Sequence, residues 1–148
     1  MSAAGLADAE AIRRLIPHAG SMCLLDAVLV CSASHIVCRA SSHRDPGNPL
    51  AVAGRLSALH LAEYGAQAMA VHGGLAAEAD GLAGAARPGV LAAVRELQLQ
   101  VDELHEINSA LVITATRITR SAAGSNYSFT VHADGQELAQ GRVLVMTS

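Results

Sequence analysis

LSALHLAEYGAQAMAVHGGLA, residues 56–76, is apolar on nearly every side. Almost every position is Ala, Leu, Gly, Met or Val, so a helix over this run has no solvent face and is expected to be buried. Three residues break the pattern. His60, Glu63 and Gln67 stand at i, i+3 and i+7, which puts them in one stripe about 60° wide at roughly 100° per residue. A carboxylate inside a buried helix is costly unless it is paired, protonated or in use. Glu63 is therefore the first candidate for chemistry. Ser57 is placed to cap the helix, and Gly73-Gly74 loosens its end.

Upstream, residues 6–16 (LADAEAIRRLI) read as a short amphipathic helix that stops before Pro17. Met22–Ser32 and His35–Ser41 read as two strands joined by a Ser-Ala-Ser turn. Residues 42–55, with two prolines and two glycines, are expected to form a loop with little regular structure. Downstream of the helix, residues 78–89 (EADGLAGAARPG) form a small-residue linker. The pattern then changes to period two. Leu97, Leu99 and Val101 alternate with Gln98 and Gln100, marking Val94–Val101 as a half-buried strand. Leu111–Thr119 is rich in β-branched residues, and Tyr127, Phe129 and Val131 share one face of a further strand. Asp134-Gly135 is a hairpin signal, and residues 137–146 supply the last strand.

This order, one apolar helix among antiparallel strands, needs a sheet curled about the helix to cover it. The expectation is an α+β hotdog fold, an antiparallel β-sheet wrapped around one long buried α-helix, with residues 1–148 as a single domain. The length of 148 residues is enough for a sizeable core. The formal charge of −3 and the 2% aromatic content argue against a nucleic-acid surface, which wants clustered Lys/Arg and stacking rings. His60, Glu63, Gln67 and His72 interrupt the longest apolar run, so no membrane span is expected. MSAAGLADAE lacks a basic start followed by an apolar core, so no signal peptide is read. Cys23, Cys31 and Cys38 are odd in number with no close CxxC pairing, which suggests free thiols and a cytoplasmic protein.

The chain also resembles the β-hydroxyacyl-acyl carrier protein dehydratases, in particular a divergent branch associated with aryl-polyene-type and other fatty-acid-like pathways. Ile16-Pro17-His18 followed by Cys23-Leu24-Leu25-Asp26 is similar to the family's opening Leu-Pro-His and Leu-Leu-Val-Asp. Leu56-Ser57-Ala58, Glu63 and Gln67-Ala68 match the spacing of its Met-Pro-Gly, catalytic carboxylate and Gln-Ala. The departure is at the catalytic histidine. In the family it stands in His-Phe-Pro-Gly, seven residues before the Met, whereas His43 of His43-Arg44-Asp45-Pro46-Gly47 stands thirteen before Leu56. A six-residue loop insertion reconciles the two.

The resemblance implies dehydration of a 3-hydroxyacyl thioester, with His43 as the base for the C2 proton and Glu63 as the acid for the C3 hydroxyl. A buried carboxyl holds its proton more readily, which suits an acid. Backbone N–H groups at the helix start, including that of Ala58, are expected to bind the enolate-like oxygen. His60, Gln67 and His18 are supporting or substrate-binding candidates, with Gln67 holding Glu63 or the acyl chain. His60 could also be an alternative base or an interface histidine. Each residue has a plainer reading: Glu63 as a structural carboxylate, His43 as a loop anchor, His18 as the residue orienting a turn, Tyr64 and Met69 as core. The pair His60–Glu63 lacks further ligands, so no metal is expected, and no organic cofactor is implied. In the family one site draws its His and Glu from different subunits, which implies a homodimer or a heterodimer with a homologous subunit. Acyl carrier protein or coenzyme A carries the substrate, and Arg13, Arg14, Arg44 and Arg55 are either contacts for that carrier or ordinary solvated charge. Two alternatives remain open: an acyl thioesterase on the same fold, in which Glu63 activates water, and a non-catalytic partner subunit.

Overall fold

The computed structural model describes residues 7–15, 23–79, 89–121 and 124–147. A two-residue strand β1 (Ala7–Asp8) leads into helix α1 (Ala9–Leu15). The Asp8 carboxylate accepts from the Ala11 N–H at 3.0 Å, an N-cap that starts the helix there. Strands β2 (Ala27–Cys31) and β3 (His35–Ala40) follow, joined by the expected turn, in which Ser32 N–H donates to the His35 carbonyl at 2.8 Å. The long helix α2 spans Leu61–Ala79, and β4 (Gly89–Leu99), β5 (Leu111–Ser121), β6 (Gly124–Ala133) and β7 (Gln136–Thr147) complete the chain. Between β6 and β7, Asp134 and Gly135 have φ of 52° and 76°, the left-handed pair that a two-residue hairpin needs.

The strands form one seven-stranded sheet in the order β1-β2-β3-β5-β6-β7-β4, antiparallel at every pairing. Helix α2 packs on five consecutive strands, β3, β5, β6, β7 and β4. Five strands at about 4.8 Å spacing span roughly 19 Å if flat, wider than a helix about 10 Å across, so the sheet must curl to reach it. Register shifts at Val28/Val30, Leu91/Ala93, Arg95/Gln98, Arg117/Thr119 and Val131/His132 supply the bends. This is the hotdog arrangement. At its centre, the Phe129 ring sits where Cβ atoms on Gly65 of α2 and Gly141 of β7 would each come within 3.0 Å of it. Two glycines therefore set how closely the helix and sheet approach.

The helix departs from expectation in one respect. Leu61, Tyr64, Ala68, Met69, Val71 and His72 are buried against the sheet, but Leu59 is 62% exposed, Gly73 is exposed, and Ala62, Ala66 and Ala70 are only half-buried. One side of α2 is therefore left uncovered by the described residues. A single sheet can curl around part of a cylinder, and an all-round apolar sequence leaves the remainder open for another surface. Two other expectations shift. The residues before Ala27 are not in β2, and β4 begins at Gly89, several residues ahead of Val94. All three cysteines are free, and burial pushes the Cys38 thiol up to about 12. No described helix is long and apolar enough to cross a membrane.

Candidate functional site

Residues 42–55 form the expected loop with little regular structure, but an ordered one. A 3-10 turn covers Ser42–Arg44 at the end of β3, and successive bonds then tie the segment together. Asp45 N–H donates to the Ser42 carbonyl, Gly47 N–H to the Asp45 carboxylate and Leu50 N–H to the Asn48 side-chain carbonyl, at 2.8–3.1 Å. Short polar side chains closing turns onto their own backbone are what Asp and Asn do beside Pro and Gly. His43 lies inside this turn and is 2% exposed.

A second segment holds it there. Residues 101–109, which carry no apolar periodicity in the sequence, run between the His43 turn and the start of α2. His43 Nε2 lies 3.0 Å from the Ile107 carbonyl, and Arg44 donates to the Asn108 carbonyl at 2.8 Å. Towards α2, Leu104 N–H donates to the Leu56 carbonyl at 2.8 Å, and Arg55 makes a two-pronged pair with the Glu103 carboxylate at 2.8 and 2.6 Å. Because a carbonyl can only accept, Nε2 of His43 carries the ring proton of the neutral form and Nδ1 keeps its lone pair. That Nδ1 is buried and has no hydrogen-bond partner among the described residues. Burial lowers the His43 pKa from its ordinary value, although the Ile107 and Ser109 carbonyls pull it back up. A neutral ring with one unsatisfied acceptor results. Such an orphan costs about 1–3 kcal/mol and calls for a reason.

Segment 101–109 also overturns the role expected of Ala58. Its N–H donates to the Asp102 carbonyl at 2.8 Å, and the residue is fully buried. The neighbouring donors are engaged too: Leu59 N–H bonds the Ser57 hydroxyl at 3.2 Å and His60 N–H the Ser57 carbonyl at 3.2 Å. Ser57 is thus the cap expected, although the first turn, Ala58–His60, is 3-10 in form and the α-helix proper begins at Leu61. The chain spends the helix-start donors on itself, so Ala58 offers no free donor to a substrate oxygen.

Glu63 in the first turn of α2 and His60 just before it are half-buried, not enclosed, while Gln67 is 5% exposed. Gln67 links inward and outward: its Oε1 accepts from the Leu24 N–H at 2.8 Å, which orients the amide so that Nε2 donates to Glu63 Oε1 at 3.2 Å. The structure therefore joins Glu63 and Gln67, as expected, and leaves His60 outside this linkage. His18 lies outside the described residues. Among the described residues, no group of three His, Cys, Asp or Glu side chains converges where it could hold a metal ion.

Tyr64, read from sequence as core, is fully buried, but its hydroxyl is bonded to Ser42 Oγ at 2.8 Å and to Asn48 Nδ2 at 3.4 Å. Ser42 Oγ in turn donates to the Leu24 carbonyl at 2.8 Å. The available signal was the phenol itself, because a buried tyrosine hydroxyl usually finds a partner. Its partners lie 16 and 22 residues away, so sequence spacing alone could not name them.

Solved structures share this fold. A chain of the dehydratase heterocomplex ApeI:P from Xenorhabdus doucetiae superposes with a TM-score of 0.83 at 24% identity, over 93% of this chain and 90% of that one. AziG from S. sahachiroi gives 0.58 at 17% identity over 89% and 94%. Zebra fish thioesterase superfamily member 2 gives 0.60 at 14% identity over 97% and 100%. At these identities the superpositions speak for the fold alone. No curated protein matches the chain. The family model for ApeP-like proteins, described as ApeP dehydratase, matches residues 10–148, and the chain therefore belongs to the ApeP-like dehydratase family.

Proposed function

We propose that this chain takes part in eliminating water from a 3-hydroxyacyl thioester carried by acyl carrier protein or coenzyme A, within a dimer formed with a homologous subunit. The observation that carries the reading is Glu63, a half-buried carboxylate held by Gln67 beside the side of α2 that the described residues leave uncovered. A second subunit laid on that side would enclose Glu63 against a bound substrate. The neighbouring heterocomplex supports a homologous, non-identical subunit as the occupant.

In this mechanism His43 Nδ1 takes the C2 proton, and the C–H electron pair forms the C2–C3 double bond. The C3–O bond breaks as Glu63 delivers its proton to the departing hydroxyl, and water leaves. The fixed Nε2–H tautomer supports Nδ1 as the accepting atom. Family membership supports dehydration over thioester hydrolysis.

A second reading is favoured by two observations: His43 is nearly enclosed, and the Ala58 N–H is taken by Asp102. On that reading the chain is a partner that lends its helix face to an active homologue. The experiment measures enoyl thioester formation and free thiol release by the chain alone, with the homologous subunit, and with Glu63→Gln in the pair. Dehydration that falls on the order of 10²–10⁴-fold in the variant supports the catalytic role. Unchanged turnover by the mixed variant supports the partner role, and free thiol without change at C2–C3 points to a thioesterase.

A further inference from the structure

Both candidate catalytic side chains are tied to one residue that takes no part in the chemistry. The Leu24 N–H donates to Gln67, which holds Glu63, and the Leu24 carbonyl accepts from Ser42, the residue before His43. Donor directions follow from chemistry alone. The Leu24 carbonyl can only accept, so the single proton of Ser42 goes there, and Tyr64 must give its proton to Ser42 Oγ. The Tyr64 oxygen then accepts from Asn48 Nδ2, whose other hydrogen goes to the Ser42 carbonyl at 2.9 Å. The chain runs one way, from Asn48 through Tyr64 and Ser42 to Leu24, and aligned bonds of this kind reinforce each other.

We infer that the Ser42–Tyr64–Asn48 network positions the His43 turn against the helix that carries Glu63, which makes Ser42 and Tyr64 positioning residues for the elimination. A 3-10 turn of three residues has little stability of its own, so the direction of its His43 ring must come from outside the turn. The 101–109 segment holds the ring from one side, through Ile107. The hydroxyl network holds its backbone from the other, and it does so from Tyr64, the residue after Glu63. A shift of the helix therefore carries the His43 turn with it. A displacement near 1 Å at reacting groups is enough to lose about 10²-fold in rate.

The inference rests on the proposed dehydratase reading, and its test has one arm that does not. Tyr64→Phe keeps the packing and removes the hydroxyl. Ser42→Ala breaks the link at its other end, and Ser42→Thr restores the oxygen. All are made in the full-length chain, studied with its homologous subunit. The first arm reads the His43 ring by nitrogen NMR. The wild type is expected to show one fixed Nε2–H tautomer, Tyr64→Phe and Ser42→Ala a tautomer mixture or a shifted titration, and Ser42→Thr a return to wild type. The second arm reads turnover, where kcat is expected to fall about tenfold with KM within about twofold. A His43 spectrum unchanged in both Tyr64→Phe and Ser42→Ala overturns the inference, whatever the activity. If the wild-type pair turns over no thioester, the dehydratase reading fails while the ring spectra still decide the positioning. If Tyr64→Phe does not fold, the Ser42 pair decides it alone.

Discussion

Two histidines are buried among the described residues, and their surroundings differ by one hydrogen bond. His72, on the inner side of α2, is fully buried, with Nε2 donating to the Ser32 carbonyl at 2.8 Å and Nδ1 accepting from the Tyr127 hydroxyl at 2.6 Å. The two rings meet edge to face with centroids 5.6 Å apart. His43 has the same Nε2–H tautomer, anchored on Ile107, but its Nδ1 has no partner. Burial lowers the pKa of both. Burial and a perturbed pKa therefore do not separate a structural histidine from a reactive one. On the proposed reading the second nitrogen makes the difference, because a lone pair already bonded to a phenol is not available to a substrate proton.

The contrast would break if the two substitutions behaved alike. His43→Ala in the complex should lose at least about a hundredfold in turnover, equivalent to about 2.7 kcal/mol in the barrier. Its loss of stability in urea should be smaller than that of His72→Ala. The reverse is expected of His72→Ala: destabilisation of about 2 kcal/mol, since two buried partners and the ring packing are lost together, with turnover per folded molecule within about threefold of wild type. Equal stability losses with equal turnover would remove the distinction.

Acid titration sharpens it further. Both rings are neutral in the folded state and have folded pKa values below the ordinary 6.5. The unfolded chain then binds protons first as pH falls, so the stability they contribute is complete above about pH 6.5 and declines below it. The slope is at most about 1.4 kcal/mol per pH unit for each ring. Urea midpoints between pH 7 and 5 should fall for wild type and fall less steeply in His72→Ala. A stability that rose on acidification through this window would contradict neutral burial of both rings.

The smallest effect is expected at His60. It is half-buried in the 3-10 turn before α2 and lies outside the linkage through Gln67 and Leu24. His60→Gln should therefore change turnover by less than about threefold, measured beside His43→Ala with the same thioester. Should His60→Gln be inactive and His43→Ala normal, the base belongs on the helix, and the loop insertion that aligns His43 with the family is wrong.

Much of the fold was legible in the chain because it rests on local and periodic signals. Alternation at Leu97–Gln100, the shared face of Tyr127, Phe129 and Val131, and the Asp134-Gly135 turn are statements about neighbours in sequence, and each holds in the structure. The apolarity of residues 56–76 determined that one helix would sit against a sheet, and the i, i+4 spacing of Glu63 and Gln67 determined that they could bond. What tertiary structure alone decided is where the polar groups find partners. The Ala58 N–H, free in a helix considered by itself, is met by Asp102 from a segment 44 residues on. Tyr64 meets Ser42, and His43 meets Ile107 across 64 residues. Such pairings carry no period and no spacing rule. They follow from the requirement that each buried donor and acceptor be satisfied by whatever the packed chain brings near it, and Nδ1 of His43, the buried side-chain atom left unmet among the described residues, became visible only in the folded chain.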